Sequence, residues 1–204
     1  MPMPKQRILL SVLVLLSLGL IVLFLMLPKH PASKEVAATT MDPNSLKLQQ
    51  AVELVNGTNP MAGITLLREM VAEDSTNADA HYYLGLFSVK SGQLDKAIAR
   101  FEKVIALRPD DIKYQIEVGY QFMVMDTVDL ALQCFERGLQ LDSTDNNSLF
   151  FSAQALQQLN RPAEAKQRYE ALLRHNNDEV VVAKVKEFID TLNIQLTQQN
   201  NALR

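Results

Sequence analysis

Small and apolar residues between positions 44 and 179 return at the same places every thirty-four residues. Ala51, Gly85, Gly119 and Ala153 form one ladder, Ala97, Ala131 and Ala165 a second, and Phe101, Phe135 and Tyr169 a third. Leu84 and Val118 repeat in the same way. Apolar spacings of three and four between the ladders belong to helical faces. They predict helices over 43–56 with 60–74, 78–91 with 94–107, 112–125 with 128–141, and 146–159 with 162–175, then a further one over 178–199. Asp42-Pro43 and Asn59-Pro60 read as helix starts, with a capping side chain and proline in the first turn. Gly92, Asp126 and Asn160 share one equivalent place between paired helices, where the chain must turn through left-handed backbone. Connections this short make the paired helices antiparallel. A hairpin of this length cannot bury its apolar face alone, so the copies must stack into a solenoid.

The ladder residues explain themselves by packing. Gly85, Gly119 and Ala153 are small where the second helix of each hairpin crosses, and Ala97, Ala131 and Ala165 give the opposing small surface. Phe101, Phe135 and Tyr169 fill the space between one hairpin and the next. Val182, Val185, Ile189, Leu192 and Leu196, with Val181 and Phe188 beside them, give the final helix a broad apolar face. That face suits a cap over the end of the last hairpin better than a coiled-coil seam barely two heptads long. Asn177 is the expected cap of this helix, and the polar end Gln198-Gln199-Asn200-Asn201 is expected to fray.

The N-terminal part is of another kind. Residues 8–27 are apolar apart from Ser11, Ser17 and Gly19. About twenty residues at ~1.5 Å each span the ~30 Å hydrocarbon core of a bilayer. Lys5 and Arg7 precede the stretch, favouring a cytoplasmic N-terminus at 1–7. A cleaved signal peptide has a shorter apolar core, and the small residues Val36-Ala37-Ala38 lie far beyond this one, so an uncleaved anchor is the expectation. Residues 28–43 carry prolines and small polar residues without periodicity and read as a flexible linker.

The thirty-four-residue pattern resembles the tetratricopeptide repeat (TPR) family. Residues 78–111 carry the likeness most fully, through Leu84-Gly85, Ser88, Gly92, Ala97, Phe101 and Pro109. Residues 112–145 follow through Val118-Gly119, Ala131, Phe135 and Gly138, and 146–179 through Ala153, Leu156, Ala165 and Tyr169. Residues 44–77 are a degenerate copy, with Gly63 where the others carry alanine, and 180–204 form the capping helix and polar tail. The resemblance implies an all-α, right-handed solenoid of about four hairpins plus a C-terminal capping helix, preceded here by one transmembrane helix.

Function must lie where the repeat makes no demand. Each first helix carries a second line of side chains: Tyr82, Leu86 and Val89; Ile116, Tyr120 and Met123; Phe150, Gln154 and Gln157. In the TPR family the corresponding face lines a concave groove that holds peptides. The same residues could instead pack against neighbouring repeats, and the sequence leaves both readings open. Relatives that clamp the acidic C-termini of heat-shock chaperones use lysine and asparagine there. The matching places here hold Tyr82 and Leu86, then Ile116 and Tyr120, so that role is not expected.

Composition narrows the chemistry. The net charge is −3, which gives no cationic surface for nucleic acid. Cys134 is the single cysteine, which rules out an internal disulfide and reads as a small core hydrophobe. His30, His81 and His175 have no metal-ligand spacing, and Asp110, Asp111, Asp142 and Asp145 fall in turns where aspartate caps helices. No glycine-rich phosphate loop or nucleophile elbow occurs. The expectation is a non-enzymatic protein without cofactor, metal or small-molecule substrate. It would be a single-pass protein of the bacterial inner membrane, its repeats periplasmic, recruiting a protein or peptide. The layout resembles bacterial assembly factors; the alternative is a constitutive structural subunit of a membrane complex or homo-oligomer. Mass spectrometry of the membrane-bound protein should recover Lys5 or Arg7 joined to the apolar segment, whereas a mature N-terminus near Ala38 would remove the anchor.

Overall fold

The computed structural model describes residues 42–202. The expected anchor at 8–27 and nearly all of the linker at 28–43 lie outside the described residues. Within them the chain forms nine helices and no strand. These are α1 (Pro43–Asn56), α2 (Pro60–Glu73), α3 (Ala78–Lys90), α4 (Leu94–Leu107), α5 (Ile112–Val124), α6 (Val128–Leu141), α7 (Asn146–Gln158), α8 (Pro162–His175) and α9 (Glu179–Ala202). Each odd-numbered helix from α1 to α7 packs most closely on the even-numbered helix after it, and the four hairpins then stack in chain order.

Local chemistry sets where each helix starts and stops. Asn59, Asn77, Asp111 and Asp145 cap α2, α3, α5 and α7 by accepting backbone N–H bonds from the first turn. Within the second, third and fourth hairpins the first helix ends in left-handed backbone at Gly92, Asp126 and Asn160, with φ of 72°, 59° and 54°. There the amides of Gln93, Thr127 and Arg161 reach back to the carbonyls of Ser88, Phe122 and Leu156. This is the six-to-one bond that closes a Schellman turn, made three times at the same place in the repeat. Of the turn aspartates, Asp142 does not cap the next helix. It accepts from the backbone and hydroxyl of Thr144, which hold its carboxyl below the usual carboxylate range. Asp110 pairs instead with Arg137.

The crossings show what the small residues are for. A Cβ added at Gly85 would stand 2.6 Å from Cε1 of Phe101, and one at Gly119 would stand 2.6 Å from Cε1 of Phe135. These glycines therefore admit the ring that the crossing second helix of their own hairpin carries. Phe101 also meets Phe122 of the next hairpin edge-on at 6.0 Å. True backbone approach occurs in the first hairpin, where a Cβ on Gly63 would meet the carbonyl oxygen of Ala51 at 2.5 Å. The departure of this copy from the pattern is thus a close crossing in its own right. Its ring position holds Leu67, fully buried.

The core has two parts. The first hairpin, with Ala80 and Leu84 of α3, encloses Ile64, Leu67 and Met70. A larger cluster runs from Phe101 to α9. Val185 and Leu192 of α9 are completely buried, and Phe188 stacks on Tyr169 of α8 at 5.4 Å, so α9 covers the outer face of the fourth hairpin. Its cap is Asp178 and not Asn177: the Asp178 carboxylate accepts from the amides of Val180 and Val181. The helix runs on through the polar residues to Ala202. Gln195 contributes by donating to the Asn160 side chain at 3.2 Å.

Gly119→Leu should lower stability by ~1–3 kcal/mol or more, because the Phe135 ring has nowhere to move. Lys113→Ala, whose side chain is 71% exposed, should change it by about 0.5 kcal/mol or less. Equal melting temperatures for the two variants would contradict this crossing.

Candidate functional site

The first-helix line of nine residues is not uniformly open. Tyr82 of α3 is half-buried between rings, 5.8 Å from Phe101 and edge-on to Tyr114 at 6.2 Å. Burial, then the nearby Glu117 carboxylate, push its phenol up to about 12. Leu86 and Val89 pack against the main core, as do Met123 and Phe150. Phe150 sits among Phe151, Tyr169 and Phe188, so α9 reaches over it. Gln157 accepts from the Tyr169 hydroxyl at 2.8 Å, which occupies its amide oxygen with a core contact. Ile116 and Gln154 are half-buried.

Tyr120 of α5 differs from the other eight. It is 47% exposed, and its ring rests edge-on against Phe151 at 5.8 Å. Phe151 in turn stacks on the buried Phe135 at 5.6 Å. A surface tyrosine is thereby backed by a continuous file of rings leading into the core, which limits the orientations its ring can take. Val124, 56% exposed, stands one helical turn further along. Residues 116, 120 and 124 advance by four, so Ile116, Tyr120 and Val124 share a face. The sequence reading followed the four-then-three line to Met123 and so passed over Val124. Phe151 was missed because its counterparts Tyr83 and Glu117 show no common chemistry.

Other candidate groups are tied into the structure. Cys134 is 2% exposed, and burial pushes its thiol up to about 12, far from a reactive thiolate. Among the described residues no three of His, Cys, Asp and Glu come together as a metal site needs. No helix among them is long and apolar enough to cross a membrane.

Comparison with known proteins bears on the fold. A model of the tetratricopeptide repeat family matches residues 59–116. Over these residues the chain is similar to that family. Solved structures of similar fold align over most of the described chain. MamA of strain AMB-1 is 22% identical, with 77% of this chain and 91% of that one covered and a TM-score of 0.60. A MamA double mutant of strain RS-1 is 15% identical, with 78% and 87% covered and a TM-score of 0.62. PilF of Pseudomonas aeruginosa is 19% identical, with 75% and 68% covered and a TM-score of 0.59. No curated protein matches by sequence. At these identities the likeness speaks for the repeat architecture alone.

The contrast between the two tyrosines is measurable. Tyr82→Ala should cost ~2–3 kcal/mol of stability, since it empties a space between three rings. Tyr120→Ala should cost about 1 kcal/mol or less. Thermal melts of the two single variants check the order, and the reverse order would mean that Tyr120 is the packing residue.

Proposed function

We propose that this TPR protein is a membrane-tethered scaffold that recruits a protein or peptide through its first-helix face, centred on Tyr120 and Val124. The observation that carries the reading is the exposed, ring-backed Tyr120 beside an exposed valine on the same helical face. Rigid aromatic anchors flanked by partly covered apolar side chains are typical of interface hot spots. Leu86, Val89, Ile116 and Met123 would then form the apolar surround, and Gln154 an adaptable polar edge. An apolar face of this kind suits an amphipathic helix or an extended apolar segment.

The tether rests on the sequence alone. Residues 8–27 have the length and apolarity of a single membrane span, and Lys5 and Arg7 favour the cytoplasmic side for the N-terminus. The repeats would then face the periplasm of a bacterial envelope, where an anchored solenoid suits an assembly factor. No reaction is assigned to it.

A photo-crosslinking phenylalanine analogue at position 120 of the full chain should join a discrete protein in cells. Adding Val124→Asp should remove that product while the helical circular-dichroism signal persists. Raising the salt during capture should weaken recovery little, because the contact is apolar. The reading is lost if the analogue yields no discrete product, or if Val124→Asp leaves the product unchanged.

A further inference from the structure

A second surface, whose charged side chains come from second helices, has the make-up of a binding site. Between the first and second hairpins lies an open cleft of about 470 Å³. Leu84 and Phe87 of α3 form an apolar part of its floor. Four cations line it, Arg68 from α2 and Lys96, Arg100 and Lys103 from α4, and no carboxylate does. None of the four takes part in an ion pair among the described residues. Lys96 donates only to the neutral Gln93 amide. Like charges gathered without counter-charges raise the local potential and cost stability, so an anionic ligand would meet a surface already arranged for it.

One cation is held in place. His81 is buried and accepts from the Arg100 guanidinium at its Nδ1, 2.9 Å away, while its Nε2 lies 3.1 Å from the Ser75 carbonyl oxygen. A carbonyl can only accept, so Nε2 carries the hydrogen and Nδ1 is left to accept from arginine. Burial above all, with Arg100 and Lys103 adding to it, holds this imidazole below the ordinary histidine range. His81 therefore aims a guanidinium without adding to the charge.

The solenoid does not require these cations. One repeat further on, the register replaces Arg68 by Glu102, Lys96 by Leu130 and Arg100 by Cys134. Only Lys103 keeps a basic counterpart, Arg137, and that residue is neutralised by Asp110. The equivalent cleft between the second and third hairpins has a similar volume, about 430 Å³, and the same helical walls. The architecture is common to both clefts and the charge belongs to one, in a chain whose net charge is −3.

We infer that this cleft docks an acidic protein segment, one that places an apolar side chain on Leu84 and Phe87 and its carboxylates on the surrounding cations. Guanidinium groups pair with carboxylates in bidentate fashion, and the apolar floor gives the segment an anchor that a bare anion lacks. A nucleic-acid backbone fits less well. The cations are confined to one junction and do not continue as a track along the solenoid. The site is independent of the Tyr120 face, and either can fail without the other.

The test uses the full chain in mild detergent and a short fluorescein-labelled peptide that alternates Glu or Asp with Leu or Phe. Fluorescence anisotropy should show saturable binding that weakens at least about tenfold in the Arg68→Glu/Lys96→Glu/Lys103→Glu variant. All three side chains are exposed, so the fold should survive. If melting shows that it does not, Lys103→Glu alone should still weaken binding and reduce its salt dependence. Lys186→Glu, on α9, should leave binding unchanged. The proposal is overturned if no saturable binding occurs, or if a peptide with Gln and Asn in place of Glu and Asp binds equally. It is overturned too if the charge reversals have no effect, or if a single-stranded oligothymidylate competes as well as the peptide.

Discussion

A second-helix ring seated against a first-helix residue that has almost no side chain holds each central rung of the solenoid together. Phe101 under Gly85 and Phe135 under Gly119 are both completely buried, and neither glycine could carry even a methyl group without moving its ring. Truncating such a ring costs on the order of 3–5 kcal/mol, comparable with the whole stability of a small domain. The same rings pass the packing onward, since Phe101 meets Phe122 of the next hairpin and Phe135 stacks on Phe151. Intra-hairpin and inter-hairpin order thus share one set of atoms. The end hairpins solve the crossing differently. The first pairs Ala51 with Gly63 and buries Leu67, and the fourth buries Ala153 and a tyrosine whose hydroxyl donates to Gln157.

Because one contact serves both purposes, the spacing between crossings has to be kept. Side-chain caps at Asn77, Asp111 and Asp145 start the first helices of the later hairpins, and the left-handed residues at 92, 126 and 160 stop them one residue before the turn closes. Asparagine, aspartate and glycine tolerate that backbone for different reasons, which is why the position looks variable in sequence and constant in geometry.

The helical plan was legible because it rests on local signals of this kind. Eight of the nine expected helices end within one residue of their places in the structure. The exception is α9, where Asn176-Asn177-Asp178 offers three capping side chains in a row and only the geometry selects Asp178. The surfaces were less legible. Periodicity says which residues face the same way, but it cannot say how far a neighbouring helix covers them. Tyr82 and Tyr120 have similar chemistry and both belong to the first-helix stripe, yet one is enclosed by Tyr114 and Phe101 and the other is half open. The cationic cleft was hidden for another reason. Arg68 and Lys96 lie far apart along the chain and meet only because α2 and α4 are brought together on α3.

Departures from the repeat therefore carry more functional information than its ladders do. A ladder residue is accounted for once its crossing is explained, and nothing remains for a partner to read. Where equivalent positions change character while the backbone stays the same, packing no longer supplies the reason. The first-helix position that is Leu86, Tyr120 and Gln154 in successive hairpins is one such place, and the second-helix position that is Arg68, Glu102, Glu136 and Glu170 is another. The last series changes the sign of charge once, between the first hairpin and the other three. That reversal makes the first junction cationic at no evident gain to folding, since Arg68 has no carboxylate partner among the described residues. Partner recognition of the kind proposed for the two surfaces would account for both departures without asking the solenoid itself to change.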